Sequence, residues 1–151
     1  MNKKICLLIS SGFGIGYSPY FPGTLASFCS LFPLWFIKEK NDINILILLI
    51  FFFSIISIYV ISITIKELKN KDPNFIVIDE FIGQSCALLI CRQEIFDYLV
   101  AFLGFRLLDI TKPFPINKLD NIKNAYGVLL DDILAGMIIS ILFYFYYETF
   151  I

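Results

Sequence analysis

The sequence predicts an all-helical integral membrane protein, and two observations carry that reading. Of its 151 residues, 58% are hydrophobic, 17% aromatic and 17% charged. An ordinary soluble domain has roughly 45–50% apolar and about 25% charged residues. The second observation is the run Ile43–Ile65, 23 residues without a charge, bracketed by Asp42 and Lys66. As a helix it covers about 34 Å, enough for a hydrocarbon core of roughly 30 Å. Many of its residues are β-branched, which favours strand in water, but in lipid the backbone must satisfy its own hydrogen bonds, and helix wins. The length suits one domain, taken as a single membrane domain over 1–151.

The other elements follow in chain order. Ile5–Ile37 carries no charge but is split by a Gly/Pro-rich loop, Ser10–Thr24, dense in turn formers. The apolar core after Lys3 and Lys4 is too short, and too far from a small-residue cleavage site, for a signal peptide. Thr24 is placed to cap a helix through Leu25–Ile37, with Pro33 inside it. A helical hairpin, roughly 25–41 and 43–65, results. Lys66–Asn74 is a polar connector. Beyond it Phe81–Cys91 and Tyr98–Phe105 are apolar blocks too short to cross a bilayer, and Pro113 and Pro115 stop the second. Ile133–Tyr147 is an uncharged run ending in the aromatic cluster Phe143–Tyr147, which suits a membrane interface. The expected fold is therefore an N-terminal Gly/Pro-rich loop, a helical hairpin and a region of short helices.

Charge and composition exclude several functions. Twelve Lys plus Arg against thirteen Asp plus Glu give a net charge of −1, so no basic field attracts nucleic acid. The chain contains no histidine, which removes Ser-His-Asp and Cys-His catalysis, phosphohistidine and His-ligated zinc. Cys6, Cys29, Cys86 and Cys91 lie in apolar runs and form no CxxC pair, as expected of small buried hydrophobes. Lys3 and Lys4 before the hairpin, with Lys66, Lys69 and Lys71 after it, place both flanks in the cytoplasm by the positive-inside rule; Lys38 and Lys40 in its turn are a counter-signal.

The few charges set in apolar sequence stand out. Asp79-Glu80, Asp131-Asp132, Arg106 with Asp109, and Lys112 all interrupt hydrophobic runs, and a charge within a membrane segment is by default functional. Two acidic pairs suit a hard cation such as Mg²⁺, while Arg106 and Lys112 suit a phosphate. Gly83 and Gly136 follow Asp79 and Asp132 by four residues, so on helices each shares a face with its acid and leaves room for a ligand or a neighbouring helix. The same spacing equally suits acids that cap helices and an Arg106–Asp109 intrahelical ion pair. Two motifs fail. Cys86–Arg92 has Cys-x5-Arg spacing but an apolar interior without glycine, unlike a phosphate-cradling loop. Gly12, Gly14 and Gly16 do not make a dinucleotide fingerprint or a Walker loop, and serve either as an amide nest or as a flexible connector.

Four ordered blocks then become specific: Gly14-Ile-Gly16-Tyr-Ser-Pro-Tyr-Phe-Pro22-Gly23-Thr24-Leu-Ala-Ser27, Val77-Ile-Asp79-Glu80-Phe-Ile-Gly83, Phe105-Arg106-Leu-Leu-Asp109-Ile-Thr-Lys112-Pro113-Phe-Pro115, and Leu130-Asp131-Asp132-Ile-Leu-Ala135-Gly136. Together they resemble the signature of the phosphatidylglycerophosphatase A family over about residues 12–137. Tyr20-Phe21 departs from it, since a smaller residue is common there, but the polar positions are intact. The resemblance implies an all-helical, Mg²⁺-dependent lipid phosphatase of the bacterial inner membrane, converting phosphatidylglycerophosphate to phosphatidylglycerol and phosphate. It implies a phospholipid substrate within the bilayer, a multi-pass topology, a cytoplasmic site and no obligate protein partner.

The residues fit such a reaction. Asp79, Glu80, Asp131 and Asp132 are the metal candidates, with one acid free to orient the attacking water. Arg106 and Lys112 hold phosphoryl oxygens, and Asp109 orients Arg106 or joins the metal site. Gly23, Thr24 and Ser27 shape the headgroup pocket at the end of the Gly14–Thr24 loop. The rivals are a transport or structural subunit and a phosphatase for another phosphate monoester.

Overall fold

The structure is a computed structural model that describes residues 3–68 and 74–150. Every regular element among them is helical: α1 (Lys3–Ser10), a short 3-10 helix (Ile15–Tyr17), α2 (Pro22–Lys40), α3 (Ile43–Leu68), α4 (Ile78–Ala87), α5 (Ile95–Thr111), α6 (Ile116–Asp120) and α7 (Ala125–Phe150). The hairpin expected from the sequence is α2 and α3. Two helices, α3 and α7, are long and apolar enough to cross a membrane. At 26 residues each they reach about 39 Å. Their outward faces are apolar: Leu48, Phe51, Phe52 and Ile55 on α3, and Leu142 and Phe145 on α7, are all more than half exposed.

The start of α2 differs from expectation. Thr24 is not its cap; the helix begins at Pro22, with Phe21 at the cap position and no side-chain cap bond. Proline's fixed φ and missing N–H suit the first helical position, so the turn begins before Thr24. Lys66 lies in the last turn of α3, while Lys69, Lys71 and Pro73 of the connector fall outside the described residues.

The short helix α4 organises the bundle. Its main partner is α7, and α2, α3 and α5 surround its other faces. Gly83 of α4 and Gly136 of α7 let the two backbones meet: a Cβ on Gly136 would collide with the Gly83 carbonyl oxygen and lie 2.8 Å from Cys86 Cβ. The Ser140 hydroxyl donates to the Cys86 carbonyl at 2.5 Å and fastens the next turn of the same contact. Small residues at such crossings let two helix backbones approach closely.

The two ends of the bundle differ in character. At one end Lys38 Nζ donates to the carbonyls of Leu88 (2.6 Å) and Cys91 (2.5 Å), closing the C-terminus of α4. Beside it Tyr147 donates to the buried Asp97, so this member of the aromatic cluster is tied inward while Tyr144, Phe145 and Tyr146 remain exposed. At the other end Ser10 and Thr64 share a 2.7 Å hydrogen bond, and the Val77 N–H donates to the Ser10 carbonyl at 2.9 Å. The end of α1, the end of α3 and the start of α4 are thus drawn together. The starts of α2 and α7 and the end of α5 lie here too.

Candidate active site

At that end a cavity of about 980 Å³ opens between the starts of α2, α4 and α7, the end of α5, and α6. It gathers residues from four separate sequence blocks. Asp79, Glu80, Asp109, Asp131, Asp132, Arg106, Lys112, Gly23 and Thr24 all line it.

Each side chain is positioned by its local backbone. Asp79 and Glu80 stand in the first turn of α4, where carboxylates suit the helix dipole. Asp131 and Asp132 lie well inside α7 and are buried, so they are not caps. Lys112 closes α5 in a left-handed conformation, φ 42, its N–H donating to the Leu108 carbonyl at 2.8 Å. That turn sends its side chain to Asp131, 2.7 Å away, and to Asp120. Gly23 is small for a steric reason: a Cβ there would collide with Glu80 Oε1 and lie 3.2 Å from Arg106 Nη2.

Carboxylates and cations are matched unevenly. Arg106 Nη1 pairs with Asp109 Oδ2 at 2.7 Å, one helical turn away, so the intrahelical ion pair and the shared cleft both exist. Two groups of acids bring ligand oxygens within 4.8 Å of one another: Asp79, Glu80 and Asp132, and Asp109, Asp131 and Asp132. Asp79 Oδ1, Glu80 Oε2 and Asp132 Oδ2 are buried, and no hydrogen bond reaches them within the described residues. Burial, reinforced by neighbouring Glu80 and Asp131, holds the Asp79 carboxyl well above its ordinary range. Burial alone would lower the Lys112 pKa, but its bonds to Asp120 and Asp131 outweigh this and raise it, so the ammonium stays charged. Converging, unpaired carboxylate oxygens are what a hard divalent cation requires.

Ser27 is the exception among the expected residues. It does not line the cavity. It is fully buried, donates to the Gly23 carbonyl at 2.9 Å and accepts from Arg106 Nη1 at 3.5 Å. Its position one turn into α2 puts it behind the guanidinium. Of the Gly14–Thr24 loop only the last residues, from Phe21, reach the cavity; Gly12 and Gly14 take positive φ elsewhere, and Gly16 packs on the Phe75 backbone.

Comparison with known proteins bears on this constellation. Residues 8–147 match the family model of phosphatidylglycerophosphatase A. The chain belongs to the phosphatidylglycerophosphatase A family. It is 34% identical over 140 residues to phosphatidylglycerophosphatase A of Escherichia coli K12, covering 91% of this chain and 81% of that relative. It is 30% identical over 142 residues to phosphatidylglycerophosphatase A of Haemophilus influenzae, covering 89% and 87%. A Bacteroides thetaiotaomicron protein, provisionally named a phosphatidylinositol-3-phosphatase, is 32% identical over 138 residues, covering 87% and 86%. No solved structure gives a significant match. These relatives are named as phosphatases, and this family member is an enzyme of that class.

Three residues of this phosphatidylglycerophosphatase A family member escaped sequence reasoning. Asp120 clamps Lys112 from a polar stretch that carries no apolar contrast to mark it. Phe21 lines the cavity as an exposed aromatic. Gln84, one turn after Glu80 and fully buried outside the cavity lining, has neither amide atom hydrogen-bonded among the described residues. Only the i, i+4 spacing from Glu80 could have marked it, since that places both on one helix face. The rejected Cys86–Arg92 motif stays rejected: burial pushes the Cys86 thiol up to about 12, and the Arg92 guanidinium stacks on Tyr147, 4.6 Å from the ring centre.

Proposed function

We propose that this chain is a multi-pass, Mg²⁺-dependent lipid phosphatase of the bacterial inner membrane. Its reaction hydrolyses phosphatidylglycerophosphate to phosphatidylglycerol and inorganic phosphate. The observation that carries the reading is the convergence of buried, unpaired carboxylate oxygens of Asp79, Glu80 and Asp132 with Arg106 in one cleft. Family membership supports the headgroup assignment. The apolar outer faces of α3 and α7 support a bilayer setting.

The donor set fits Mg²⁺, since every candidate ligand is a carboxylate oxygen and soft ligands are absent from the two acid groups. Asp79, Glu80, Asp131 and Asp132 are the residues that would hold it, with one of the four left free of the ion. When bound, such an ion supplies charge neutralisation at the phosphoryl group and acidifies water. The remaining steps belong to the chain. Arg106, held by Asp109 and backed by Ser27, presents its donors to phosphoryl oxygens. Lys112, fixed between Asp120 and Asp131, adds a second positive charge at the cavity for phosphoryl oxygens. Gly23 and Thr24, in the first turn of α2, line the same cavity, and the free N–H groups of a helix start favour an anion. One carboxylate outside the ion's set accepts the proton of the attacking water.

The hydrogen bond between Ser10 and Thr64 draws the ends of α1 and α3 together. It keeps the two ends of the α2–α3 hairpin on one side of the bundle, and Lys3, Lys4 and Lys66 favour the cytoplasm for that side. The acids collect at one end rather than along a path through the bundle, which favours an enzyme over a transporter. The test is phosphate release from detergent-solubilised phosphatidylglycerophosphate. EDTA should abolish it and added Mg²⁺ restore it; full activity in metal-free buffer rejects the metal assignment. Phosphatidylinositol 3-phosphate, assayed alongside, should be the poorer substrate. A preference for it would move the reading to another lipid phosphate monoester.

A further inference from the structure

Three cations line the cavity, Arg106, Lys112 and Lys123, and two of them are committed to carboxylates. Arg106 pairs with Asp109, and Lys112 is held by Asp120 and Asp131. Lys123 is exposed, and among the described residues no ion pair or hydrogen bond engages its side chain. Asp120, the nearest acid in the sequence, is turned to Lys112 instead.

The backbone that carries this lysine is fixed. Lys123 lies in the turn between α6 and α7. The Asn124 side-chain oxygen accepts the N–H groups of Tyr126 at 2.9 Å and Gly127 at 3.0 Å, capping α7. On the other side of Lys123, the Ile122 N–H donates to the Leu119 carbonyl at 2.9 Å, and the Ile122 carbonyl accepts from the Asn124 N–H at 2.8 Å. Gly127 presses on that same carbonyl, since a Cβ there would lie 1.7 Å from the Ile122 oxygen. A pinned turn therefore presents an uncommitted ammonium, on a flexible stem, to the cavity.

The acids lie further in. Asp131 and Asp132 are buried, and Ala125 to Asp131 covers about 9 Å along α7. The substrate of the proposed reaction carries two anions one glycerol apart: the terminal phosphate monoester, and the phosphodiester that joins the headgroup to the rest of the lipid. The acids with their cation, Arg106 and Lys112 serve the monoester. The phosphodiester, one glycerol further along, needs a countercharge of its own, and Lys123 is the cation left for it. A compact ammonium suits a diester, whose single negative charge is shared by two oxygens. We propose that Lys123 is a specificity-determining residue that binds the phosphodiester of the lipid headgroup while the monoester occupies the carboxylate end of the cavity. The proposal rests on the lipid-phosphatase reading. It names the feature by which the site distinguishes a lipid with both phosphates from one with a monoester alone.

The test uses phosphatidylglycerophosphate in mixed micelles, with KM expressed as lipid mole fraction, beside two inhibitors that each keep one of the anions. Phosphatidylglycerol keeps the diester and lacks the monoester; inorganic phosphate stands in for the monoester alone. Lys123→Gln should raise KM about tenfold and weaken inhibition by phosphatidylglycerol about tenfold, the scale of one charge-assisted hydrogen bond. The kcat and the inhibition by phosphate should stay within about twofold of wild type, as expected when binding away from the reacting group is lost. Lys123→Arg should recover most of the KM. Lys118→Gln removes an exposed lysine outside the cavity lining, controls for general attraction to an anionic lipid surface, and should leave KM unchanged. An unmoved KM in Lys123→Gln overturns the proposal, as does an equal rise in Lys118→Gln. An equal weakening of phosphate inhibition, or a KM rise without the matching change for phosphatidylglycerol, overturns it too. Wild-type activity is read separately. An active wild type with an unmoved Lys123→Gln KM sinks the Lys123 assignment alone, whereas a wild type inactive on every lipid phosphate sinks both readings.

Discussion

The carbonyl oxygen of Gly83 lies where a Cβ on Gly136 would have to be. Asp79 precedes Gly83 by four residues and Asp132 precedes Gly136 by four, so this contact between α4 and α7 determines how far apart the two acids stand. Gly83 itself is hemmed in: a Cβ there would lie 2.6 Å from the Phe105 ring and 2.9 Å from Asp132 Cβ. The acid cluster is therefore a consequence of backbone contact between two helices.

Gly136→Ala should separate those helices. Overpacking of this kind costs about 1–3 kcal/mol, visible as a lower thermal midpoint in detergent. Phosphate release should fall at least tenfold, because the carboxylates move with the backbone. Gly104→Ala is the contrast, since its Cβ would meet only the tip of the Ile139 side chain at 2.8 Å, which can rotate away. Similar losses in both variants would mean that the α4–α7 contact has no special bearing on the acids.

Asp132→Asn should remove at least about 100-fold of activity, the scale expected when a metal-site carboxylate is neutralised. Stability should move the other way. Asp132 is buried beside Asp109, Asp79 and Glu80, and removing one charge from such a group relieves repulsion and desolvation. A higher thermal midpoint in metal-free buffer, together with lost activity, is the expected pair of results. Retained activity would remove Asp132 from the site.

Cys86→Ser should keep most of the activity. The thiol is buried, and its pKa of about 12 leaves almost no thiolate near neutral pH. Maleimide treatment of the wild-type protein should likewise leave phosphate release unchanged at Cys86. Inactivation of folded Cys86→Ser to the level of Asp132→Asn would reinstate a cysteine nucleophile.

Sidedness can be read with single cysteines in a background lacking Cys6, Cys29, Cys86 and Cys91. Asn121 is exposed at the cleft end, and Asn41 is exposed at the turn between α2 and α3. In intact cells an impermeant thiol reagent should reach a cysteine at position 41 and miss one at 121 until the membrane is permeabilised. The reverse pattern would place the site on the outer face.

Composition and the long uncharged run were enough to predict a helical chain, on the expectation that apolar surroundings leave the backbone few other ways to satisfy its hydrogen bonds. The polar residues set in apolar sequence were also legible, since their cost in such surroundings singles them out. Asp79, Glu80, Arg106, Asp109, Lys112, Asp131 and Asp132 do meet in one cleft. Three matters were decided only by the tertiary structure. Ser27 went behind Arg106 instead of into the cavity because helix phase within α2, which begins at Pro22, turns it toward the core. Asp120 became the second anchor of Lys112 because the left-handed end of α5 folds α6 back over the site. Phe21 reached the cavity through a left-handed turn for which side-chain identity gives no warning. Local periodicity and polarity report what a residue prefers along its own helix; which residues meet depends on where helices cross and how chain ends turn, and those are properties of contacts distant in sequence.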